Sequence, residues 1–255
     1  MENTLLVGLS RQVALRRELD VVANNVANLN TTGFKADGTV FREYLMPVAR
    51  DDHFKTPDRR LSFVHDRATF LDLSQGPIQQ TGNPLDLAID GNAFLVVQTP
   101  RGERYTRNGG LQINAAGELV TSEGHQVIGE NGPIRFQPGD TGISITREGT
   151  VTVREGNSNK IDANRGKIRL VSFAAPGRLE KDSSSTFMAP GQQAQAAPLT
   201  AGLIQGSIEK SNVHGVVEMT RLIDLTRTYT NVSSLLEKHG ELRRTAIERL
   251  ADVPA

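Results

Sequence analysis

The sequence contains neither cysteine nor tryptophan among its 255 residues, and only three tyrosines. Without cysteine the chain can form no disulfide, no thiolate metal site and no thiol nucleophile. The shortage of tyrosine and tryptophan gives no indication of an aromatic platform for binding carbohydrate. A chain of this length can bury a sizeable apolar core, so we expect ordinary packing to hold the fold together.

Net charge and long apolar runs are also missing. The 29 basic and 29 acidic residues balance and are interspersed, so no basic stripe indicates a nucleic-acid partner. The longest apolar run, Ala93–Val97, is far shorter than the ~20 residues of a membrane-spanning helix, and no transmembrane segment is predicted. The first ten residues lack the basic and apolar regions of a secretory signal. This predicts either a cytoplasmic protein or one exported without a cleaved signal.

Motifs of catalysis and metal binding are absent as well. The five histidines, at positions 53, 65, 125, 214 and 239, lie far apart, and no HExxH, GxSxG, Walker or GxGxxG motif occurs. Asp86 and Asp90 share one face of a predicted strand and are conceivable paired carboxylates. Asp90 is better explained as the start of an Asp-Gly turn, and Asp86 as the solvent side of the strand. We therefore predict no catalytic residue, no metal site, no cofactor and no enzymatic activity.

Glycine and proline are concentrated in the middle of the chain. Twenty of the 24 glycines and eight of the 11 prolines lie between Gly76 and Gly215, with turn signals every seven to twelve residues. This spacing is typical of a sandwich or barrel-like domain of short antiparallel strands. Within it, Leu85–Ile89 and Ala93–Val97 are interpreted as a hairpin closed by the Asp90-Gly91 turn. The glycine-poor ends are predicted to be helices.

Both predicted helices carry an apolar seam with alternating steps of three and four residues, which is typical of a helix that packs along another helix. The N-terminal helix is predicted to stop in an asparagine-rich stretch before Gly33, and Asn212 or Ser211 is predicted to cap a helix from about 212 to 250. The N-terminal seam is Leu5, Gly8, Gln12, Leu15, Leu19, Val22, Val26 and Leu29, and the C-terminal one is Met219, Leu222, Thr226, Tyr229, Ser233 and Leu236.

The seams need partners, because an isolated helix is marginally stable in water. The two helices can bury their seams against each other as an antiparallel pair, pack on neighbouring copies, or both lie on the same globule. We predict an α+β fold in which the N- and C-terminal helices pair as a coiled-coil-like helical domain beside a central, mainly antiparallel β domain of short strands. The predicted boundaries are 1–35 for the N-terminal helix, 36–75 for a linker, 76–205 for the β-rich domain and 206–255 for the C-terminal helix.

Three segments of the chain resemble one known family. The first is LDVVANNVANLNTTGFK at residues 19–35, and the last comprises GSIEKSNV at 206–213 with VEMTRLI at 217–223 and RTY at 227–229. Between them lie TGNPLDLAIDGNAF at 81–94 and YTRNGG at 105–110. Together they closely resemble the signatures of the bacterial flagellar rod, hook and hook-associated axial proteins. Residues 143–151 and 166–171 look most like the proximal rod members, although Asn92-Ala93 and Gly109-Gly110 depart from the usual pattern.

The resemblance implies a structural role. In this family both termini form an inner helical layer, the β domain lies outside it, and subunits pass uncleaved through the flagellar type III export apparatus to assemble in the periplasm. The implied partners are other copies of the chain, neighbouring rod and axial proteins, and that apparatus, and the implied location is the basal-body rod. The assembly contacts predicted from the seams and signatures are Leu5, Leu15, Leu19, Val22, Asn25, Val26, Asn28, Leu29, Gly33, Asn212, Val216, Met219, Leu222, Tyr229 and Leu236.

Two other classes of function compete with a structural subunit. A β-domain hydrolase with helical extensions predicts a cleft with converging titratable groups, which the sequence does not supply. An adhesin or other binding module predicts recognition loops rich in aromatic residues, which the sequence also lacks. Another axial subunit of the same family, a distal rod or hook protein, is the nearest alternative.

Overall fold

The computed structural model describes residues 2–45, 62–155 and 161–251; side-chain surroundings are described within these ranges except at 2–5, 41–45, 62–68, 161–162, 250 and 251. The chain divides into two compact units, each built from separated segments. The helical unit comprises Met1–Val26, Asp37–Phe70 and His214–Ala255, and the β unit comprises Ala27–Ala36 and Leu71–Val213.

The helical unit contains two long helices and a two-stranded sheet. Helix α1 spans Glu2–Ala27 and α2 spans Gly215–Ala251, while β1 (Asp37–Leu45) pairs with β2 (Ser62–Leu71). Helix α1 ends inside the asparagine-rich stretch that was predicted to stop it. The strands β1 and β2 lie in the segment predicted to be a linker, whereas residues 46–61 of that segment lie outside the described residues. Neither helix is long and apolar enough, within the described residues, to cross a membrane.

The predicted capping of α2 is wrong. The helix begins at Gly215, and its first intrahelical bond runs from the Glu218 amide to the His214 carbonyl. Ser211 instead accepts a hydrogen bond from the Val213 amide. Asn212 precedes the helix by three residues, and its side chain is occupied elsewhere in the β unit, as described below. The helix also continues without a break through Gly240.

The β unit consists of short strands, as the spacing of turns predicted, and every strand pairing described within it is antiparallel. A short 3₁₀ helix lies at Pro176–Arg178. The strands are β3 (Ile78–Gln80), β4 (Leu87–Asp90), β5 (Phe94–Thr99), β6 (Gly102–Thr106), β7 (Leu111–Ile113), β8 (Leu119–Thr121), β9 (Gln126–Gly129), β10 (Gly132–Pro133), β11 (Asp140–Ile145), β12 (Thr150–Glu155), β13 (Ile161–Lys167), β14 (Leu170–Ser172), β15 (Glu180–Lys181), β16 (Thr186–Met188), β17 (Gln195–Ala196), β18 (Gly202–Gln205) and β19 (Ser207–Glu209).

Strand β5 is the centre of the β unit. The main sheet has the order β15-β16-β6-β5-β9-β8-β7, with β10 on β9 and β14 joining β5 to β17. Leu95 and Val97 point into one apolar cluster, and Phe94 and Val96 into a second one on the opposite face. Because successive strand residues point to opposite faces, a strand buried on both faces must be apolar throughout. This explains the Ala93–Val97 run.

The predicted hairpin of β4 and β5 is wrong. Strand β4 pairs with β18, where Leu87 lies opposite Gln205 and Asp90 opposite Gly202. Asp90 is the last residue of β4, and the chain bends at Gly91, which has φ 88°. This bend leads the chain from the β4-β18 sheet into β5 of the main sheet and does not fold β5 back onto β4. Two further sheets, β11-β12-β13 and β3-β19, complete the described part of the unit.

Candidate assembly surface and buried ion network

Helices α1 and α2 lie side by side in opposite directions. Residue numbers rise along α1 as those of their partners fall along α2. An ion pair of 2.6 Å between Glu18 and Arg221 marks the middle of this contact. The other contacts are Gly8 with Leu236, Gln12 with Tyr229 at 3.4 Å, and Asn25 with Glu218 at 3.5 Å.

A small apolar cluster lies between the two helices. Leu15 and Val22 of α1 and Leu225 of α2 are buried in it. Around them pack the partly buried residues Leu19, Val26, Leu222, Tyr229 and Val232. Six predicted contact residues, Leu15, Leu19, Val22, Val26, Leu222 and Tyr229, are thus brought together within one chain. Leu236 also faces the partner helix, against Gly8. The side chain of Leu5 lies outside the described ones.

The predicted polar contacts lie away from the open helix surface. The buried Asn25 side chain binds the backbone of Asp37, with its Nδ2 donating to the carbonyl at 2.9 Å and its Oδ1 accepting from the amide at 3.0 Å. Asn28 accepts a hydrogen bond from the Thr31 hydroxyl, and the adjacent Leu29 is partly buried in the same turn of the β unit. These asparagines therefore shape the connections that follow α1.

Asn212 joins three segments of the β unit. Its Oδ1 accepts from the Ala36 amide at 2.8 Å, and its Nδ2 donates to the Asp72 carbonyl at 2.9 Å and to Ser74. Gly33, another predicted contact, is buried nearby at φ 69°. A Cβ at this glycine would lie 2.4 Å from the backbone of Arg107, so the position excludes any side chain.

The open apolar surface of the helical unit lies mainly on α2. Val216 and Met219, both predicted contacts, are 82% and 50% exposed. Ile223, 52% exposed, belongs to the apolar stripe predicted for the C-terminal helix. The sequence did not single out the other exposed apolar residues of the two helices, which are Leu6, Leu9 and Val13 of α1 and Val217, Leu235, Leu242 and Ile247 of α2. Their spacing does carry a signal, since 6, 9 and 13 form a second seam and Leu235 and Leu242 are seven residues apart.

Two shallow grooves run along different sides of α2. Apolar and polar residues line both grooves, with Arg227 in one and with Arg221 and Asp224 in the other. One groove, of about 570 Å³, is lined by Leu222, Ile223, Thr226, Arg227, Thr230 and Asn231. The other, of about 480 Å³, is lined by Val216, Val217, Thr220, Arg221, Asp224, Leu225 and Thr228. Helix α2 therefore offers two open faces besides the one that packs on α1.

The β unit contains a fully buried ion network that sequence reasoning missed. Glu209 accepts from the Lys35 ammonium at 2.6 Å and from the Arg107 guanidinium at 2.8 Å, and all three side chains are at most 2% exposed. The Gly76 amide donates to the same Glu209 oxygen as Lys35, at 2.8 Å. Burial lowers the pKa of Lys35 below its ordinary value, and the charge of Glu209 opposes that shift.

Backbone carbonyls complete the network. The Arg107 guanidinium donates to the carbonyls of Ile89, Gly91 and Ala93, and the Lys35 ammonium to that of Ser74. Lys35, Arg107 and Glu209 come from the three separate segments that carry the family resemblance. No pattern in the sequence indicates that these three are buried, because charged residues are rarely buried unless they are paired.

The two aspartates weighed as paired carboxylates have structural partners. Asp86 accepts hydrogen bonds from Thr81 at 2.6 Å and Asn83 at 3.0 Å, and Asp90 forms an ion pair with Arg147 at 3.0 Å. Within the parts of the chain that the structure describes, no three His, Cys, Asp or Glu side chains are grouped as a metal site. Asp86 and Asp90 thus have structural partners, and the features described for the helical unit are those of helix packing.

Comparison with known proteins gives matches along most of the chain. The model for flagella basal body rod protein matches residues 5–35, that for the flagellar hook protein FlgE/F/G D1 domain 88–153, and that for the flagellar basal body rod FlgEFG protein C-terminal 204–249. The flagellar basal-body rod protein FlgF of Caulobacter vibrioides is 38% identical over 99% of this chain and 100% of its own length. FlgF of Mesorhizobium japonicum is 35% identical over 98% of both chains. The flagellar basal-body rod protein FlgG of Caulobacter vibrioides is 31% identical over 93% of this chain and 95% of its own.

Proposed function

The chain belongs to the family of flagellar basal-body rod proteins, and from this premise we propose that it polymerises through its two terminal helices into the axial shaft that transmits torque from motor to hook. It is a structural rod subunit and not an enzyme, most like the FlgF relatives. A place in the basal body follows from the same relatives.

The observation that carries the proposal is the exposed apolar surface of α2. Val216, Met219 and Ile223 are three or four residues apart and so share one strip of the helix, whereas Leu235 and Leu242 share another. Both strips lie off the α1 contact and are at least half exposed. Large exposed apolar surface is costly in water, and burial against a neighbour recovers about 25 cal/mol per Å². Helices of other subunits are the proposed occupants.

The predicted contact residues divide into two proposed roles. Val216 and Met219 are proposed to contact neighbouring subunits directly. The apolar residues between α1 and α2 are proposed to hold the pair in a coiled-coil-like arrangement, which requires knobs-into-holes packing along the seam. Asn25, Asn28, Gly33 and Asn212 are proposed to act indirectly, through the connections to the helices. The sequence boundaries 1–35 and 206–255 are kept as the proposed halves of a helical assembly domain.

We further propose that the subunit reaches the periplasm through the flagellar type III export apparatus, without a cleaved signal. A chain free of cysteine forms no disulfide that would block passage in an unfolded state. Self-association and contacts with neighbouring axial proteins are the proposed interactions in the assembled rod.

Complementation of a strain deleted for this chain tests the proposal. We expect the wild-type chain to restore swimming and isolated rods and hooks, and Ile223→Asp and Leu242→Asp to abolish both. The matched control is Leu199→Asp, since Leu199 is a fully exposed apolar residue of the β unit. Thermal unfolding of the purified variants verifies that the introduced charges leave the fold intact.

Two results would contradict the proposal. Normal rods in both α2 variants would show that these faces take no part in assembly. A deletion strain that builds complete rods and swims would rule out a rod role altogether. The nearest alternative is another axial subunit of the same family, supported by the 31% identity to FlgG. Electron microscopy of the point at which assembly stops in the deletion strain separates a proximal from a distal subunit.

A further inference from the structure

The buried ion network fixes the β-unit segments that lead to both helices. Residues 28–36 follow directly after α1, and residues 206–213 lie just before α2. The Gly33 amide donates to the Glu209 carbonyl at 2.8 Å, and Lys35 reaches the Glu209 carboxylate. Ala36 is bound by Asn212. Backbone and side-chain contacts thus hold the two segments next to each other.

Further contacts hold the segment that follows α1 in place. Phe34 is fully buried, and the Lys181 ammonium lies 4.0 Å from the centre of its ring. The same ammonium donates to the Lys35 carbonyl at 2.6 Å. The Lys35 side chain in turn donates to the Ser74 carbonyl. The segment is therefore located by directional contacts, which fix position more closely than apolar packing does.

Counted by hydrogen bonds, the network holds more cations than carboxylates, although the charge of Asp72 also acts to raise the pKa of Lys35. Two cations, Lys35 and Arg107, share Glu209, which is the only carboxylate within hydrogen-bonding distance of either among the residues described. Desolvation of a buried charge offsets most of what an ion pair contributes, so the second cation adds little to stability. Arg107 has three carbonyl partners in addition to Glu209, whereas Lys35 has one. Lys35 is thus the cation whose charge the fold can lose most easily.

We propose that Lys35 is a positioning residue for polymerisation: it fixes the segment that follows α1 beside the segment that precedes α2, and it contributes this geometry rather than stability. The two ends of the β unit at which the chain continues into the helices are then held at a fixed spacing, as a regular polymer requires. This inference rests on the proposed polymerisation through the helices. It assigns the buried charge a role in assembly.

Two substitutions separate geometry from stability. Lys35→Met keeps a long apolar stem and leaves the Glu209–Arg107 pair intact, so we expect an unfolding midpoint in denaturant equal to or above that of the wild type. Glu209→Gln leaves two buried cations without a carboxylate, and its midpoint is expected to fall clearly. Lys35→Gln, which removes the charge but keeps a donor, is the second variant should the methionine pack poorly.

Hydrogen exchange reports the geometry in the purified full chain. In Lys35→Met we expect the amides of Gly33 and Ala36 to exchange at least about tenfold faster, because the segment opens locally. Amides of the central strand, such as Val97, keep the wild-type rate. In the deletion strain the same variant is expected to be as abundant as the wild type and to fail in rod assembly and swimming.

Three results would overturn the inference. If the ammonium served only to hold the fold, both Lys35 variants would lose as much stability as Glu209→Gln, and that outcome refutes the positioning role. Normal rod assembly by the stable variants refutes it as well, and so does unchanged exchange at Gly33 and Ala36. If Lys35→Met swims while Ile223→Asp does not, only this inference fails. If Ile223→Asp and Leu242→Asp both swim, the proposed polymerisation itself fails.

Discussion

The side chain of Asn25 binds both backbone polar groups of Asp37, at 2.9 Å to the carbonyl and 3.0 Å to the amide. It thereby joins the last turns of α1 to the start of β1. Asn25→Ala leaves both groups without this partner, and we expect a loss of about 1–3 kcal/mol in the free energy of unfolding. Denaturant unfolding measures it, with the exposed Asn30→Ala as control. Equal losses in the two variants would contradict this role.

Two glycines should respond in opposite ways to alanine. Gly33 has φ 69°, and a Cβ there would meet the backbone of Arg107 and Asn108 at 2.4 Å. Gly33→Ala is expected to cost about 2–5 kcal/mol, from backbone strain and overpacking. At Gly8 a Cβ would meet only the flexible end of Leu236, and alanine favours a helix by up to about 1 kcal/mol. Gly8→Ala is expected to be neutral or stabilising in the same assay.

Buried and exposed positions of α2 give a third prediction. Leu225 is 9% exposed between the helices, whereas Ile223 is 52% exposed. Leu225→Ala removes buried methyl groups and leaves a cavity, so we expect a loss of about 2–4 kcal/mol in unfolding free energy. Ile223→Ala is expected to change it by less than about 0.5 kcal/mol. Comparable losses would mean that α1 does not cover Leu225 in solution.

The Asp140–Arg165 pair predicts a dependence of stability on pH. Hydrogen bonds from Arg165 hold the pKa of Asp140 below its ordinary value of 3.8. The unfolded chain therefore takes up the proton first, and the pair stabilises the fold above pH 3.8 but loses this contribution as the pH falls through the lower folded pKa. We expect Arg165→Met to be less stable than the wild type near neutral pH, with a difference that narrows in acid. Denaturant unfolding over a pH series measures it. A constant difference would exclude the linkage.

Secondary structure was largely predictable, because local patterns determine it. The seams gave both helices, and the apolar run Ala93–Val97 gave the central strand. Strand pairing was harder to predict. Leu87 of β4 pairs with Gln205 of β18, far along the chain, and no local pattern favours β18 over the adjacent β5 as the partner of β4. The prediction of helix capping failed for a related reason. Asn212 has the right chemistry for a cap, but distant backbone groups bind it first.

The ion network was beyond sequence reasoning. Lys35 and Glu209 are 174 positions apart, and Arg107 and Glu209 are 102 apart. Charged residues lie mostly at the surface, so pattern alone gives no reason to bury these three. The exposed strips of α2 could be predicted from the sequence in part. Val216 and Met219 were selected, whereas Leu235 and Leu242 lie off the main seam and needed the position of α1 to be recognised as uncovered.

The two helices have unequal lengths, 26 residues for α1 and 37 for α2. Because Asn25 lies near Glu218, the difference of 11 residues falls beyond the first turn of α1 and extends about 16 Å at 1.5 Å per residue. This overhang includes Leu242 and Ile247, both mostly exposed. A single helix of three turns has little stability of its own. In the proposed polymer, a helix of a neighbouring subunit would cover Leu242 and Ile247 on this overhang, so each added subunit would remove exposed apolar surface from water.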